Sequence, residues 1–262
     1  MKANPEDLAI AKFKTGGAAV HGSAPVQSNC SHVVDESVCA VCSVRRIAPC
    51  GALNHQELDD LSGVSRHRSL KPGEYLFFEG DAVDAYFIVR DGAAKLYKLL
   101  EDGRRQIIGF AFKGDMIGHA YQREQNVTAE ALVPTELCHL PRDRFELFIE
   151  DSGPLGHRLL ELASSELSDA QDQMLLLGRK SAKERLASFL LWLSGRAIAR
   201  GEDGHDLKLP MSRADMGDYL GLTVETVSRT VTKLKNAGLI APRERGTIEL
   251  LDRDGLEEIS GH

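Results

Sequence analysis

From about Leu53 to Arg144, short apolar stretches alternate with glycine turns. Lys71-Pro72-Gly73, Glu79-Gly80-Asp81, Asp91-Gly92, Asp102-Gly103 and Lys113-Gly114-Asp115 punctuate this region at close to even intervals. The runs between them, including Tyr75–Phe78, Tyr86–Val89 and Gln106–Phe110, read as strands. Short strands evenly spaced by turn signals predict a β-sandwich, jelly roll or barrel. From Pro154 to about Ile198 the turn residues thin out and the period becomes helical. Leu160, Ala163, Leu167, Ala170, Met174 and Leu177 follow alternating steps of three and four. Such a seam predicts a long helix suited to a partner helix, and it also suits a helix packed on its own β-domain. Arg200–His205 reads as a loop.

Residues 212–238 carry a second helical pattern. Ser212 with Asp215 three residues later resembles a capping box, Gly221 marks a tight turn, and Thr223 can cap a following helix. Val224, Val227, Val231 and Leu234 fall on one face of that helix. Glu225, Thr226, Ser228, Arg229 and Lys233 fall elsewhere, and Gly238 supplies the stop. Two short helices joined by a glycine turn predict a helix-turn-helix. Arg229 is suited to a bidentate contact with guanine, Glu225 to a cytosine amino group, and Ser228 to a base edge or phosphate. Glu225 and Arg229 also stand at i and i+4, the spacing of an ordinary surface ion pair. Ile240–Asp252, with Arg245-Gly246 between strand-like runs, reads as a β-wing.

The net charge of −7 is at first sight wrong for a DNA binder. It is unevenly spread. Residues 179–245 hold 13 Lys and Arg against 8 Asp and Glu, while both flanks are acidic. A basic module on an acidic body fits contact with phosphates. No apolar run approaches the roughly 18–20 residues a membrane span needs. The first twenty residues contain acids and no sustained apolar core, so neither a signal peptide nor a membrane segment is expected, and the expected compartment is the cytoplasm. The glycines mark β-turns, with no phosphate loop and no nucleophile–base constellation, so no enzyme is expected.

Thiols stay reduced in that compartment, so the five cysteines are candidate metal or redox ligands. Cys39-Ala40-Val41-Cys42 followed by Cys50 makes a C-x2-C-x7-C spacing. Two thiolates that close can bind one metal centre, a third can fold back to it, and a fourth ligand comes from elsewhere. Soft thiolates favour an iron–sulfur cluster, zinc or copper(I). Cys138 sits in the strand-like Thr135–Leu140, where a buried core thiol is the ordinary reading. Cys30, in a Gly- and Ser-rich tail, reads as a spare. His32, His55 and His139 read as solvated or capping residues.

The chain resembles the CRP/FNR superfamily, and most closely the FNR and FixK-like regulators. The resemblance runs from about Cys39 to Gly255. It is carried by Leu220-Gly221-Leu222-Thr223-Val224-Glu225-Thr226-Val227-Ser228-Arg229, which follows the FNR recognition helix, and by Gln171–Ser194, which resembles the dimerisation helix and the helix after it. The resemblance implies an α+β chain in four parts. These are a tail and cysteine segment over 1–51, a cyclic-nucleotide-binding-like β jelly roll over 52–153, a dimerisation helix over 154–183, and a winged helix-turn-helix over 184–262. It implies a [4Fe–4S] cluster on Cys39, Cys42, Cys50 and Cys138, with x7 where many family members have x5. It also implies a homodimer reading TTGAT-type half-sites of a palindrome through Glu225, Ser228 and Arg229, supported by Thr223, Thr226 and Lys233. Oxygen would degrade the cluster and weaken the dimer. RNA polymerase would meet β-domain loops such as the turn Glu101–Arg104.

Family members typically keep an acidic residue on the dimer seam, where Ala170 stands here. This predicts a dimer less dependent on the cluster, unless the adjacent Asp169 turns inward. Two other readings remain open on the same residues: a zinc or redox thiol site, and a cyclic-nucleotide effector. The stretch Glu124-Gln125-Asn126-Val127-Thr128 places Val127 where a cyclic phosphate would need Arg, which argues against the nucleotide. Arg123 stands close by in sequence.

Overall fold

The computed structural model describes Val38–Gly118 and Tyr121–Gly261, apart from the side chain of Arg245. Cys30, His32 and the tail lie outside the described residues. After the cysteine segment and a 3-10 turn at Pro49–Ala52 comes α1 (His55–Val64). Eight strands follow: β1 (Arg66–Leu70), β2 (Tyr75–Phe77), β3 (Ala85–Asp91), β4 (Ala93–Leu99), β5 (Arg105–Phe112), β6 (Met116–Ile117), β7 (Thr128–Ala131) and β8 (Thr135–Pro141). Then come α2 (Arg142–Asp151), α3 (Gly153–Arg179) and α4 (Ala182–Ala199). The chain continues through β9 (Asp206–Lys208), α5 (Arg213–Leu220), α6 (Val224–Asn236), β10 (Ile240–Pro242), β11 (Thr247–Leu250) and α7 (Arg253–Ser260).

The expected α+β fold is present. The first eight strands form two antiparallel four-stranded sheets, ordered β1-β8-β3-β6 and β2-β7-β4-β5. They close on an inner core of Leu76, Phe87, Val89, Ala111, Ala129 and Leu137. Both outer faces are apolar as well. Tyr86, Ile88 and Leu140 project from the first sheet into a cluster with Val44, Leu58, Leu61, Phe145 and Leu155. Tyr97, Ile107, Phe110 and Phe112 project from the second sheet into the core of the C-terminal helices. Burial on both faces turns β3 into the unbroken apolar run Ala85–Val89.

Three helices escape the strand pattern. α1 begins at Asn54, whose side chain accepts from the Glu57 N–H while Glu57 returns to the Asn54 N–H. α2 lies where a strand region was expected to run out, and α7 covers the C-terminal core through Leu256. The long helix ends at Arg179, not at residue 183. Ser181 restarts the chain as a reciprocal cap with Glu184, the arrangement that opens α4.

The helix-turn-helix forms as expected. Ser212 caps α5 reciprocally with Asp215, Gly221 closes it at φ 62°, and the Thr223 hydroxyl caps α6. One placement differs: Val224 is 43% exposed, and Thr230 joins Val227, Val231 and Leu234 on the buried face. The wing is a three-stranded sheet ordered β10-β11-β9, so the segment after the Arg200–His205 loop contributes a strand.

α5 and α6 meet at Gly217, where a Cβ would lie 2.6 Å from the Leu222 carbonyl oxygen. Gly217→Val should therefore force the two helices apart and cost about 1–3 kcal/mol, the range for overpacked cores. Thermal unfolding of the purified variant against wild type measures it.

Candidate functional site

The segment Val38–Leu53 coils as consecutive turns over the outer face of the β1-β8-β3-β6 sheet. The Arg45 N–H donates to the Cys42 carbonyl at 3.1 Å, Ala48 to Val44 at 2.9 Å, Gly51 to Ala48 at 3.1 Å and Leu53 to Cys50 at 3.2 Å. A Cβ on residue 51 would fall 2.3 Å from the Arg45 carbonyl oxygen, so this coil requires glycine after Cys50. Val44 and Ala48 anchor it in the apolar cluster.

That anchoring brings four thiols to one place. Cys50 is buried in the cluster, and the half-buried Cys39, Cys42 and Cys138 pack against it. Cys138 comes from the middle of β8, opposite His67 of β1 and Ile88 of β3. Burial pushes the Cys50 thiol up to about 12, and Cys42, Cys39 and Cys138 push it the same way. Burial likewise raises Cys138 to about 11, with Cys39 adding to it, while a Ser65 hydrogen bond and the Arg90 guanidinium oppose the rise. Without a cation these two thiols are neutral at pH 7, and a metal would have to displace their protons.

Among the described residues no three His, Cys, Asp or Glu side chains are arranged to hold a single metal ion. His55 is exposed on α1. His139 is not solvated as expected: its ring lies edge-on to Phe87, centroids 5.4 Å apart, and its buried Nδ1 has no partner.

The cysteine coil also touches the long helix. The turn Pro49–Ala52 packs against α3, and Leu155 and Leu159 of α3 share the cluster that holds Cys50. Further along α3, Leu160, Leu167 and Met174 stand 65%, 60% and 68% exposed, with Ala163 and Ala170 exposed beside them. Leu177 is half-buried against the C-terminal core. Asp169 turns toward its own chain, where its carboxylate accepts from the Trp192 indole at 3.4 Å.

On α6, Glu225, Ser228, Arg229 and Lys233 are exposed on the face opposite Val227, Val231 and Leu234. Thr223 is exposed at the cap, and Thr226 is half-buried and bonded to the Thr223 hydroxyl at 3.0 Å. Arg229 Nε donates to the Glu225 backbone carbonyl at 3.4 Å, and no ion pair joins the two side chains among the described residues. The Glu225 carboxyl is held low by backbone and Thr223 hydrogen bonds, with Arg229 adding to them. A charged acid, a guanidinium and a hydroxyl thus share one solvent-facing surface at a helix N-terminus, the arrangement that enters a major groove.

A cavity of about 480 Å³ lies between the roll and α3. The 124–128 stretch lines it with Gln125, Asn126 and Val127, whereas Arg123 is exposed away from it. Its arginine, Arg196 of α4, is already paired with Asp115. The hairpin tip between β4 and β5 is exposed, with Asp102 paired to Arg104 Nε at 2.7 Å.

Comparison with known proteins agrees with this architecture. Residues 67–152 match the family model of the cyclic nucleotide-binding domain, and residues 184–259 match that of the Crp-like helix-turn-helix domain. The chain is 43% identical to the nitrogen fixation regulation protein FixK of Bradyrhizobium diazoefficiens, over 85% of this chain and 93% of that one. It is 33% identical to the fumarate and nitrate reduction regulatory protein of Escherichia coli K12, over 98% and 97%. The solved structure of FixK2 from Bradyrhizobium japonicum superposes with a TM-score of 0.69 at 37% identity, over 75% of this chain and 97% of that one. Roll, long helix and helix-turn-helix in one chain, with relatives this similar along most of it, place the protein in the CRP/FNR family of DNA-binding transcription regulators.

Proposed function

We propose that this protein is a cytoplasmic, oxygen-responsive regulator that binds a palindromic FNR-type DNA site as a homodimer while a [4Fe–4S] cluster is intact. Its ligands would be Cys39, Cys42, Cys50 and Cys138. The observation that carries the reading is the convergence of four thiols from two distant parts of the chain on one apolar cluster. Four soft thiols suit an iron–sulfur cluster, which takes one thiolate per iron. When bound, the cluster supplies a crosslink that oxygen can destroy.

The residues around it supply the rest. The cysteine coil packs on Leu155 and Leu159 at the start of α3, so ordering the coil steadies the helix that would carry the dimer. Leu160, Ala163, Leu167, Ala170 and Met174 form the proposed seam, with Leu177 at its inner end. Glu225, Ser228 and Arg229 would read bases, and Thr223, Thr226 and Lys233 would hold the backbone. The cysteine segment, the roll, the long helix Gly153–Arg179 and the C-terminal part that opens at the Ser181 cap would serve these roles in order. The Glu101–Arg104 tip is the proposed contact for RNA polymerase. No cyclic nucleotide is assigned to the cavity, because its arginine already has a carboxylate partner.

Protein purified without oxygen should be brown and contain iron and inorganic sulfide in equal amounts. Cys138→Ser should lose both while keeping its far-ultraviolet circular dichroism. Colourless wild type with stoichiometric zinc would overturn the cluster. In titrations of a palindromic duplex, Arg229→Ala should lose about 1–3 kcal/mol and relax preference at one base position, while Lys233→Ala should weaken all sequences alike and flatten the salt dependence.

Leu167→Glu should shift the protein to monomer in sedimentation while keeping its far-ultraviolet circular dichroism. Asp169 is engaged with Trp192 and Ala170 adds no charge, so cluster-free wild type should keep part of its dimer. A wholly monomeric apoprotein at micromolar concentration would contradict that.

A further inference from the structure

α5, the first helix of the helix-turn-helix, is clamped at both ends by residues outside it. Near its N-terminus, Asp215 Oδ1 takes Lys95 Nζ of β4 at 3.2 Å and Arg105 Nη2 of β5 at 2.9 Å. Arg105 also reaches Asp218 Oδ2, through Nε at 2.8 Å and Nη2 at 2.7 Å. Lys95 is shared with Glu130 of β7 at 2.9 Å, and the Lys95 and Asp215 side chains are each only 8% exposed. The other Asp215 oxygen caps α5 by accepting from the Ser212 N–H and hydroxyl. At the far end, the Tyr219 carbonyl accepts from Gln173 of α3 at 2.7 Å, and the Leu220 carbonyl from Arg185 of α4 at 2.8 Å.

Apolar contact also joins the roll to this domain, with Phe110 against Phe189 and Tyr219 at centroid distances of 6.1 and 5.2 Å. Apolar burial is non-directional and tolerates sliding. A buried ion pair does not, because displacement leaves a charge without its partner in low dielectric. The aromatic contact therefore holds the domain on the roll, and the charges set its angle. α6 follows α5 rigidly, through the close approach at Gly217.

We propose that Lys95 and Arg105 are positioning residues for DNA recognition. Acting through Asp215 and Asp218, they set the angle at which α6 is presented and so the distance between the two reading helices of a dimer. In a twofold dimer that distance selects the spacing of the half-sites, about 34–36 Å for adjacent turns of one groove. Two side chains that never touch DNA would thereby determine spacer length. The inference rests on the dimeric DNA-binding reading above and is independent of the cluster's identity.

The test uses full-length protein prepared without oxygen, a series of duplexes with two half-sites whose spacer changes one base pair at a time, and a duplex with one half-site. Wild type should show a sharp optimum. Lys95→Met, Arg105→Met and the double variant should bind the single half-site as wild type does. In the double variant, preference for the optimal spacer over its neighbours should fall by about fivefold or more. Arg105→Lys should restore part of it. Asp218→Asn removes only the outer contact and leaves Asp215 paired; it provides the test if the double variant fails to fold, and its optimum should broaden measurably. Folded variants that keep the wild-type spacer profile would overturn the proposal. Wild type with no spacer optimum would instead overturn the dimeric reading beneath it.

Discussion

The roll is apolar on three surfaces, and the rest of the molecule is arranged to cover the outer two. An ordinary antiparallel sandwich buries its inner faces and wets its outer ones. Here Tyr86, Ile88 and Leu140 leave one sheet for the outside, and Tyr97, Ile107, Phe110 and Phe112 leave the other. The first set is covered by the cysteine coil, α1, α2 and the start of α3. The second is covered by the C-terminal helices. The roll is therefore a plate with the cysteine site on one side and the DNA-binding domain on the other.

The two sides are joined by one long helix. On β8, Leu137 points into the inner core and the adjacent Cys138 points out to the cysteine coil. The coil reaches α3 at Leu155 and Leu159. α3 then runs past the roll and delivers the Gln173 amide to the end of α5, while Arg185 bonds both the Leu177 and Leu220 carbonyls. α3 thus joins the cysteine segment to the helix-turn-helix as one continuous helix, without passing through the inner core.

Much of this was legible in the residues. Glycine turns at even steps marked the roll, and Ser212, Gly221 and Thr223 marked the helix-turn-helix because caps and positive-φ turns demand particular side chains. The cysteine spacing pointed to a thiolate site, but only the family resemblance singled out Cys138, since β8 looks like any half-buried strand. α1 does not stand out in the pattern, although Asn54 and Glu57 carry the same capping signal as Ser181 and Glu184. Its apolar positions, Leu58 and Leu61, are too few to set a period against the strands that follow. Val224 fits the buried face by its spacing, but the first turn of α6 projects beyond the core and leaves it exposed. The clamp on α5 was invisible, because Lys95 and Arg105 stand more than a hundred residues from Asp215 and resemble any charged residues on strands.

The same long-range pairing changes the meaning of the charge count. Residues 179–245 carry a formal excess of five positive charges, a modest figure for a surface that must meet a phosphate backbone. Several acids in that count are occupied elsewhere. Asp215 and Asp218 are engaged by cations of the roll, Glu184 caps α4, and Glu202 pairs with Arg200 at the end of the same helix. The face of α6 that looks outward keeps Arg229, Lys233 and Lys235, with Glu225 as its one acid. The domain therefore presents a more basic outer surface than its composition suggests, because two of its carboxylates, Asp215 and Asp218, turn inward onto cations of the roll. The same two acids tie α5 to the roll.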